Sequence, residues 1–265
     1  MSDHEFNLCL DSRGSIATIT INRPAQRNAI SHDMWLELRR LANQVDADPE
    51  IRVLVIRGAG GEAFSAGADI AEFDKCRNDS TQARIYSDAF DGALDAIWEL
   101  GKPVIAMIHG FCVGGGLELA CCADLRIAAE GSRFGIPTAR LGVLVGYREM
   151  RRLLHLVGVG GASEILLAAK ILEAQEALKL GLVTRVVAPA ALEDEVYDTA
   201  DDIARMAPMI HRWHKQIMRT VLANPGLAGL TPDQESLPFA CFDTEDFQEG
   251  RRAFLEKRLP VFRGR

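Results

Sequence analysis

The chain has 265 residues, of which 48% are hydrophobic and 25% are charged, and its formal net charge is −7. This composition is typical of a globular protein large enough to bury a sizeable core. The negative charge disfavours a general binder of nucleic acid or anionic membranes, so an anionic ligand would need local positive charge or backbone N–H groups. An acidic start and the lack of an apolar stretch of spanning length predict a cytoplasmic protein without membrane contact.

The first part of the chain alternates between strand patterns and helix patterns. Residues 6–10 and 16–21 alternate around a turn-prone segment at residues 11–14, which predicts a β-hairpin. Ser31 is placed to cap a helix marked by Met34, Leu36, Leu38, Leu41 and Val45, and residues 52–56 read as a buried strand. Polar residues 74–82 predict a surface loop before a helix that continues to about residue 100.

Strands are predicted at residues 103–108 and 125–128, and the glycine-rich residues 110–116 are predicted to open a helix that continues to about residue 123. Strands alternating with helices indicate an α/β fold with crossover connections. Beyond about residue 189, residues 192–206, 210–222 and 243–258 read as successive amphipathic helices. We therefore predict an α/β core over residues 1–190 and an all-helical region over residues 191–265.

Two segments share one arrangement, in which a strand leads into small residues and then into a helix. Residues 52–56 precede FSAGADI at residues 64–70, and residues 103–108 precede GGGLELA at residues 114–120. Small residues at a helix start allow a ligand to approach unpaired N–H groups closely. Two such termini converging on one carbonyl oxygen would form an oxyanion hole.

Glu118 strengthens this interpretation. It lies three residues after Gly115, so both residues share one face of a helix, and its neighbours in sequence are apolar. An ionised carboxylate in such surroundings is costly unless it is paired or used in chemistry. We therefore predict that Glu118 moves a proton on or beside a bound acyl group.

Taken together, these motifs resemble those of the crotonase, or enoyl-CoA hydratase/isomerase, superfamily over nearly the whole chain. The resemblance continues through ITINRP at residues 19–24, Phe134-Gly135, Leu141-Gly142 and FLEKR at residues 254–258. It implies a spiral of ββα units followed by a C-terminal helical trimerisation region. It also implies homotrimers, or hexamers built as dimers of trimers.

The resemblance also implies roles for individual residues. Ala68 and Gly115 would supply the oxyanion-hole N–H groups, and Glu118 matches the first of two hydratase glutamates. Residues expected to contact the substrate and its coenzyme A moiety are Ala66, Asp69, Ile70, Gly114, Phe254 and Lys257. The substrate would be an acyl-CoA thioester used in fatty acid metabolism, with no metal and no cofactor beyond the coenzyme A that the substrate carries.

The sequence departs from the family pattern in two places that bear on the reaction. Thr138 stands where hydratases carry the second glutamate, and residues 143–149 (VLVGYRE) replace a small, proline-containing run. Two alternatives are open for Tyr147, Arg148 and Glu149: one of them enters the site as a substitute acid or a contact to a polar acyl group, or they cap or pair on the next helix. Thr138 and Tyr147 are the auxiliary candidates. Ala71, where many relatives have lysine, implies altered phosphate contacts.

The predicted function is an enoyl-CoA hydratase/isomerase-type enzyme that stabilises a thioester enolate. Alternatives within the superfamily are an acyl-CoA decarboxylase and a thioester hydrolase, and a non-catalytic acyl-CoA binder is a further one. A serine hydrolase using Ser65 would need histidine and acidic partners that no motif places. The glycine-rich residues 58–61 lack a full dinucleotide fingerprint, and His211 with His214 lacks a carboxylate in zinc-site spacing.

Overall fold

The computed structural model describes residues 7–265, within which ten strands form two sheets. The larger sheet contains six strands in the order β1-β2-β3-β5-β7-β10. Their bounds are Leu8–Arg13 (β1), Ile16–Ile21 (β2), Val53–Gly58 (β3), Val104–Ile108 (β5), Leu125–Ala129 (β7) and Arg185–Val187 (β10). Only the β1–β2 hairpin is antiparallel, and the other neighbours pair in parallel. Such a sheet is buried on both faces, which explains the continuous apolar runs of its central strands.

The smaller sheet has four short strands in the order β4-β6-β8-β9. Their bounds are Ala63–Ser65 (β4), Phe111–Val113 (β6), Arg133–Gly135 (β8) and Leu172–Glu173 (β9). The chain visits the two sheets alternately, since β3, β5 and β7 in the large sheet are each followed by a strand of the small sheet. Each pair of strands is one turn of the spiral, which places the ends of β4 and β6 side by side.

Helices cover the sheets and connect the strands. Within residues 7–265 their bounds are His32–Ala47 (α1), Phe73–Cys76 (α2), Ser80–Glu99 (α3), Gly115–Ala120 (α4), Tyr147–Leu166 (α5), Ala174–Lys179 (α6), Leu192–Ala204 (α7), Pro208–Ala223 (α8), Pro232–Ser236 (α9) and Glu245–Glu256 (α10). The Ser31 hydroxyl accepts a hydrogen bond from the N–H of Met34, which confirms the predicted cap of α1. None of these helices combines the length and apolar character needed to cross a membrane.

The large sheet separates two apolar cores. One face packs against α1, α3 and α4, and the other face, including Val53, Val55 and Ile105, packs against α7. Beyond α7 the chain is helical through α10, as predicted. The last strand, β10, ends at Val187, and α7, which begins at Leu192, packs on the large sheet. The division predicted at residue 190 stays a prediction.

Several local predictions were wrong in their details. Residues 74–82, predicted as a loop, contain most of α2 and the first turn of α3, whose cap is the Asp79 carboxylate. Residues 111–113, predicted as part of a helix, form β6, so α4 begins only at Gly115. Strand β1 extends to Arg13, which shortens the hairpin turn to two residues, and Phe6 lies outside the described residues. Leu36 is 46% exposed, and Trp35 takes its place in the core.

Candidate active site

The two glycine-rich segments meet because β4 and β6 are neighbouring parallel strands. The chain leaves β4 through Gly67 and Ala68, and it leaves β6 through Gly114 and Gly115. A Cβ atom built on Gly115 would lie 3.5 Å from the Ala68 nitrogen. The two main-chain N–H groups that the sequence suggested for an oxyanion hole therefore lie next to each other.

Both N–H groups are available to a ligand. Among residues 7–265, neither the Ala68 nor the Gly115 N–H donates a hydrogen bond within the protein. The Ala68 segment is held by Ile30, whose N–H donates to the Gly67 carbonyl (2.8 Å) and whose carbonyl accepts from Asp69 (2.9 Å). Gly115 is the first residue of α4, where helix geometry leaves N–H groups unpaired and places the positive end of the helix dipole.

Close packing explains the glycines. A Cβ atom on Gly67, whose φ is +92°, would lie 2.8 Å from the Val113 carbonyl oxygen and 2.9 Å from the Gly115 nitrogen. A Cβ atom on Gly116 would lie 2.6 Å from the Ser65 carbonyl oxygen. Side chains at these positions would push the two segments apart, so the proximity of the N–H groups depends on glycine.

Ser65 supports the first segment. Its hydroxyl is fully buried, donates to the Asn28 carbonyl (2.8 Å) and accepts from the Gly67 N–H (3.1 Å). The Asn28 side chain donates in turn to the carbonyls of Ala59 (2.9 Å) and Ala63 (2.7 Å). Because the Ser65 hydroxyl is committed to main-chain partners and contacts no histidine among the described residues, the arrangement does not support a serine nucleophile.

Glu118 lies one turn into α4 and is only 8% exposed. Its carboxyl group has no hydrogen-bond partner within residues 7–265. The pKa of Glu118 is raised from 4.5 to about 8, chiefly by burial and also by the charges of Glu149 and Asp91, while the charges of Arg77 and Arg152 act to lower it. Glu118 is therefore largely protonated at neutral pH and is suited to donating a proton.

Aromatic side chains pack behind the oxyanion-hole segments. A Cβ atom on Gly115 would lie 3.3 Å from both Phe90 and Trp35, whose rings meet edge to face with centroids 4.8 Å apart. The Trp35 Nε1–H donates to the Tyr86 hydroxyl (2.8 Å). The guanidinium of Arg77 lies over the Tyr86 ring, 4.7 Å from its centroid, and Arg77 has no ion-pair partner among the described residues.

The sequence of the chain matches the profile described as enoyl-CoA hydratase/isomerase over residues 11–265. It is 34% identical over 252 residues to the short-chain-enoyl-CoA hydratase of Clostridium acetobutylicum, with 95% of each chain covered. It is 36% identical over 256 residues to the crotonyl-CoA hydratase of Syntrophomonas wolfei, with 97% of each covered. The chain belongs to the enoyl-CoA hydratase/isomerase, or crotonase, family.

The fold agrees with that of solved members of the crotonase family. A crystal structure of an enoyl-CoA hydratase/carnithine racemase from Magnetospirillum magneticum superposes with a TM-score of 0.94 at 41% identity, covering 97% of this chain and 96% of the other. An enoyl-CoA hydratase from Bacillus anthracis superposes with a TM-score of 0.90 at 32% identity, covering 98% of this chain and 100% of the other. The predicted crotonase-like α/β spiral is confirmed.

The other residues singled out from the crotonase pattern lie in different settings. Ala66 and Gly114 flank the paired N–H groups, and Ile70 is 55% exposed beside them. The Asp69 carboxylate accepts hydrogen bonds from Arg23 (2.8 Å) and from the Ala71 N–H (3.2 Å), so it also fixes its own loop. Their contacts with coenzyme A remain predictions.

Residues at the end of α10 are not joined to this site within the single chain. The Phe254 side chain is 83% exposed. Lys257 is exposed, and it is the C-cap residue of α10 with a left-handed backbone conformation. No hydrogen bond or ion pair within residues 7–265 connects either side chain to α4 or to the Ala68 segment. Their role across a subunit boundary therefore stays a prediction.

The region that departs from the crotonase pattern surrounds the start of α5. Thr138 is half-buried and opens a short 3-10 helix, and Tyr147 is 97% exposed at the first position of α5. Glu149, two residues further on, is only 5% exposed. Sequence reasoning did not single out Arg77 or Arg152, because their approach to Glu118 depends on tertiary contacts between distant helices.

No group of His, Cys, Asp and Glu side chains within residues 7–265 has an arrangement that would hold a metal ion. His211 is half-buried and contacts the Ile203 carbonyl (3.3 Å), and His214 is exposed on the same helix.

Proposed function

We propose that this protein adds water across the double bond of a short-chain 2-enoyl-CoA thioester. The observation that carries the proposal is a buried, largely protonated Glu118 one helical turn from the paired N–H groups of Ala68 and Gly115. Relatives named short-chain-enoyl-CoA hydratase and crotonyl-CoA hydratase, at about 35% identity over nearly the full chain, support the same reaction.

The main-chain N–H groups account for the stabilisation of the intermediate. The thioester oxygen accepts hydrogen bonds from Ala68 and Gly115, so addition of water at the β-carbon moves electrons towards an oxygen that already has two donors. The resulting enolate carries its negative charge at the positive end of the α4 dipole. Removing one such donor typically costs about 2.7–4 kcal/mol of transition-state stabilisation.

Glu118 completes the addition by giving its proton to the α-carbon of the enolate, and the proton that the added water loses returns to Glu118. A carboxyl group with a pKa of about 8 is mostly neutral at pH 7 and becomes a poorer donor as pH rises through that value. Hydration should therefore fall as pH rises above about 8.

A mass-resolved substrate panel tests the proposal. The protein is incubated with crotonyl-, 3-enoyl-, malonyl- and aryl-CoA thioesters, and the products are identified by mass. Gain of one water by crotonyl-CoA supports hydration. A shifted double bond at unchanged mass would indicate an isomerase, loss of carbon dioxide a decarboxylase, free coenzyme A a thioesterase, and binding without turnover a non-catalytic binder.

We also propose that the chain assembles as a trimer or as a dimer of trimers. Large apolar side chains of the C-terminal helices are exposed in the single chain, among them Met218, Val221, Phe239 and Phe242. Light scattering after gel filtration should give three or six times the 29.0 kDa chain mass. A monomer at micromolar concentration would contradict this assembly.

A further inference from the structure

Two buried side chains in the first turns of α5, Glu149 and Arg152, keep polar atoms that make no hydrogen bond, although Arg152 Nη2 donates to the Asp95 carboxylate. The Glu149 side chain is 3% exposed and that of Arg152 is 1% exposed. Glu149 Oε1 and Arg152 Nε and Nη1 make no hydrogen bond, and the closest approach of the two groups is 3.7 Å. Because buried polar atoms are nearly always paired, these unpaired atoms indicate a position for a water molecule or a polar substrate atom.

This position adjoins Glu118. Glu149 is the charged group that raises the pKa of Glu118 most. The Cys122 thiol donates a hydrogen bond to the main-chain carbonyl of Glu118 (3.3 Å). Arg152 is the charged group that most strongly affects the pKa of this thiol. Glu149 and Arg152 therefore lie close enough to α4 for their charges to act on Glu118 and Cys122.

We propose that Glu149 is the second acid–base residue of the hydration, replacing the glutamate that is absent at Thr138, and that it holds and deprotonates the attacking water. This inference rests on the proposed function. It assigns Glu149 rather than Tyr147 to the role, because Tyr147 is 97% exposed whereas Glu149 is only 5% exposed.

The surroundings of the two carboxyl groups favour different protonation states. Glu149 accepts a hydrogen bond from its own backbone N–H at the start of α5 and faces Arg152, and both interactions favour its carboxylate form. The Glu118 carboxyl group accepts no hydrogen bond among the described residues, so no hydrogen bond offsets the rise in its pKa that burial causes.

Other charged groups around the pair act in both directions. Asp91 and Asp95 on α3 oppose ionisation of Glu149, Asp91 also opposes that of Glu118, and Arg77 at the end of α2 favours ionisation of Glu118. Arg148 lies at the same edge but is paired with Asp95. Burial raises the pKa of both glutamates, and a hydrogen bond offsets that rise only for Glu149, so we place the resting proton on Glu118.

Each proton in the reaction then has a donor and an acceptor. Glu149 takes one proton from water while the water oxygen bonds to the β-carbon, and the electron pair of the double bond moves to form the enolate. The enolate returns its electrons to the α-carbon, which takes the proton of Glu118. One water has been added, and transfer of a proton from Glu149 to Glu118 restores the starting state.

Two reactions distinguish the roles of the two carboxyl groups. Hydration of crotonyl-CoA needs both residues, whereas exchange of the α-protons of butyryl-CoA in D2O needs only the oxyanion hole and Glu118. For Glu149→Gln we expect kcat for hydration to fall by about 100-fold or more, with KM and the exchange rate within about threefold of the parent protein. Glu118→Gln should lose both reactions.

The matched control is Glu164→Gln, which changes an exposed glutamate of the same helix that pairs with Lys170 (3.2 Å). It should leave both reactions unchanged. The inference is overturned if Glu149→Gln hydrates crotonyl-CoA within threefold of the parent, or if it loses both reactions equally while its melting temperature is unchanged.

A second variant covers the case in which Glu149→Gln folds poorly. Glu149→Asp keeps the charge but withdraws the carboxyl group by one methylene, so hydration should fall more than exchange, and equal losses would refute the role. A parent protein that exchanges α-protons but hydrates no enoyl-CoA would instead contradict the proposed function itself.

Discussion

Replacing Glu118 by glutamine should stabilise the protein near neutral pH while removing its activity. Burial raises the pKa of this carboxyl group from 4.5 to about 8, so folding at pH 7 requires a group that is ionised in the unfolded chain to take up a proton. In the unfolded chain at pH 7, the Glu118 carboxyl group, with a pKa near 4.5, is ionised about 300 times more often than it is neutral. Taking up a proton on folding therefore costs roughly 3 kcal/mol. Glutamine is neutral, nearly the same size, and free of this penalty.

The sign of the effect depends on pH. Well below the unfolded pKa the carboxyl group is neutral in both states and the penalty vanishes. Between the unfolded and folded pKa values the penalty grows by about 1.4 kcal/mol per pH unit, and above the folded pKa it is constant. The gain in unfolding free energy for Glu118→Gln should therefore be roughly 1 kcal/mol at pH 5 and roughly 3 kcal/mol at pH 7.

Urea denaturation of the parent and variant at both pH values, at one protein concentration, measures this difference. Glu164→Gln provides the control, since Glu164 is exposed and should show no gain that grows with pH. A gain for Glu118→Gln that is equal at both pH values, or a loss of stability at pH 7, would refute the raised pKa and with it the assignment of Glu118 as a proton donor.

Three further substitutions test the site. Gly115→Ala should lower kcat/KM for crotonyl-CoA at least about 100-fold, because the added methyl group lies 3.5 Å from the Ala68 nitrogen; steady-state kinetics near the parent value would contradict the oxyanion hole. Ser65→Ala should cost about 1–3 kcal/mol of unfolding free energy in urea yet retain measurable turnover, whereas complete loss in a folded variant would favour a serine nucleophile. Arg77→Met removes a charge that lowers the pKa of Glu118, so the alkaline limb of the pH–rate profile should move to higher pH, and an unmoved limb would show that Arg77 does not act on Glu118.

The elements that sequence patterns predicted well are those whose signal is long. Strand β5, Val104–Ile108, is buried at every position, and such a continuous apolar run is typical of a central parallel strand. Helices α7 and α8 were found within two residues of their ends because amphipathic periodicity extends over several turns. In both cases the local pattern and the tertiary packing favour the same secondary structure.

The smaller sheet could not be predicted, because its strands are too short to carry a pattern. Strands β4, β6 and β8 have three residues each, which is only one and a half periods of strand alternation. Their pairing is decided by the spiral of the whole chain. Residues 111–113 were consequently assigned to the helix that follows, although the glycines after them were recognised as a ligand-facing start.

The same distinction applies within the candidate site. The roles proposed for Ala68 and Gly115 use only main-chain N–H groups, so their position in a motif with glycines is enough to propose them. Arg77, at the end of α2, and Arg152, on α5, act on Glu118 from other elements of the fold, and nothing in their local sequence indicates it. Trp35 was passed over in α1 because its neighbour Leu36 fits the same apolar spacing, and only packing decides which of them is buried.

The two halves of the proposed chemistry differ in how far the fold constrains them. The paired N–H groups depend on two adjacent parallel strands and on glycines whose Cβ atoms would collide with the opposite segment, so they cannot shift along the chain. A carboxyl group needs only to come within reach of the bound acyl group, and any neighbouring element can supply it. Threonine at residue 138 is therefore compatible with hydration if α5 supplies the second carboxyl group. Because two buried carboxyl groups that act on each other are costly to ionise, a glutamate at residue 149 with an oxygen that makes no hydrogen bond is better explained by use in the reaction than by stability.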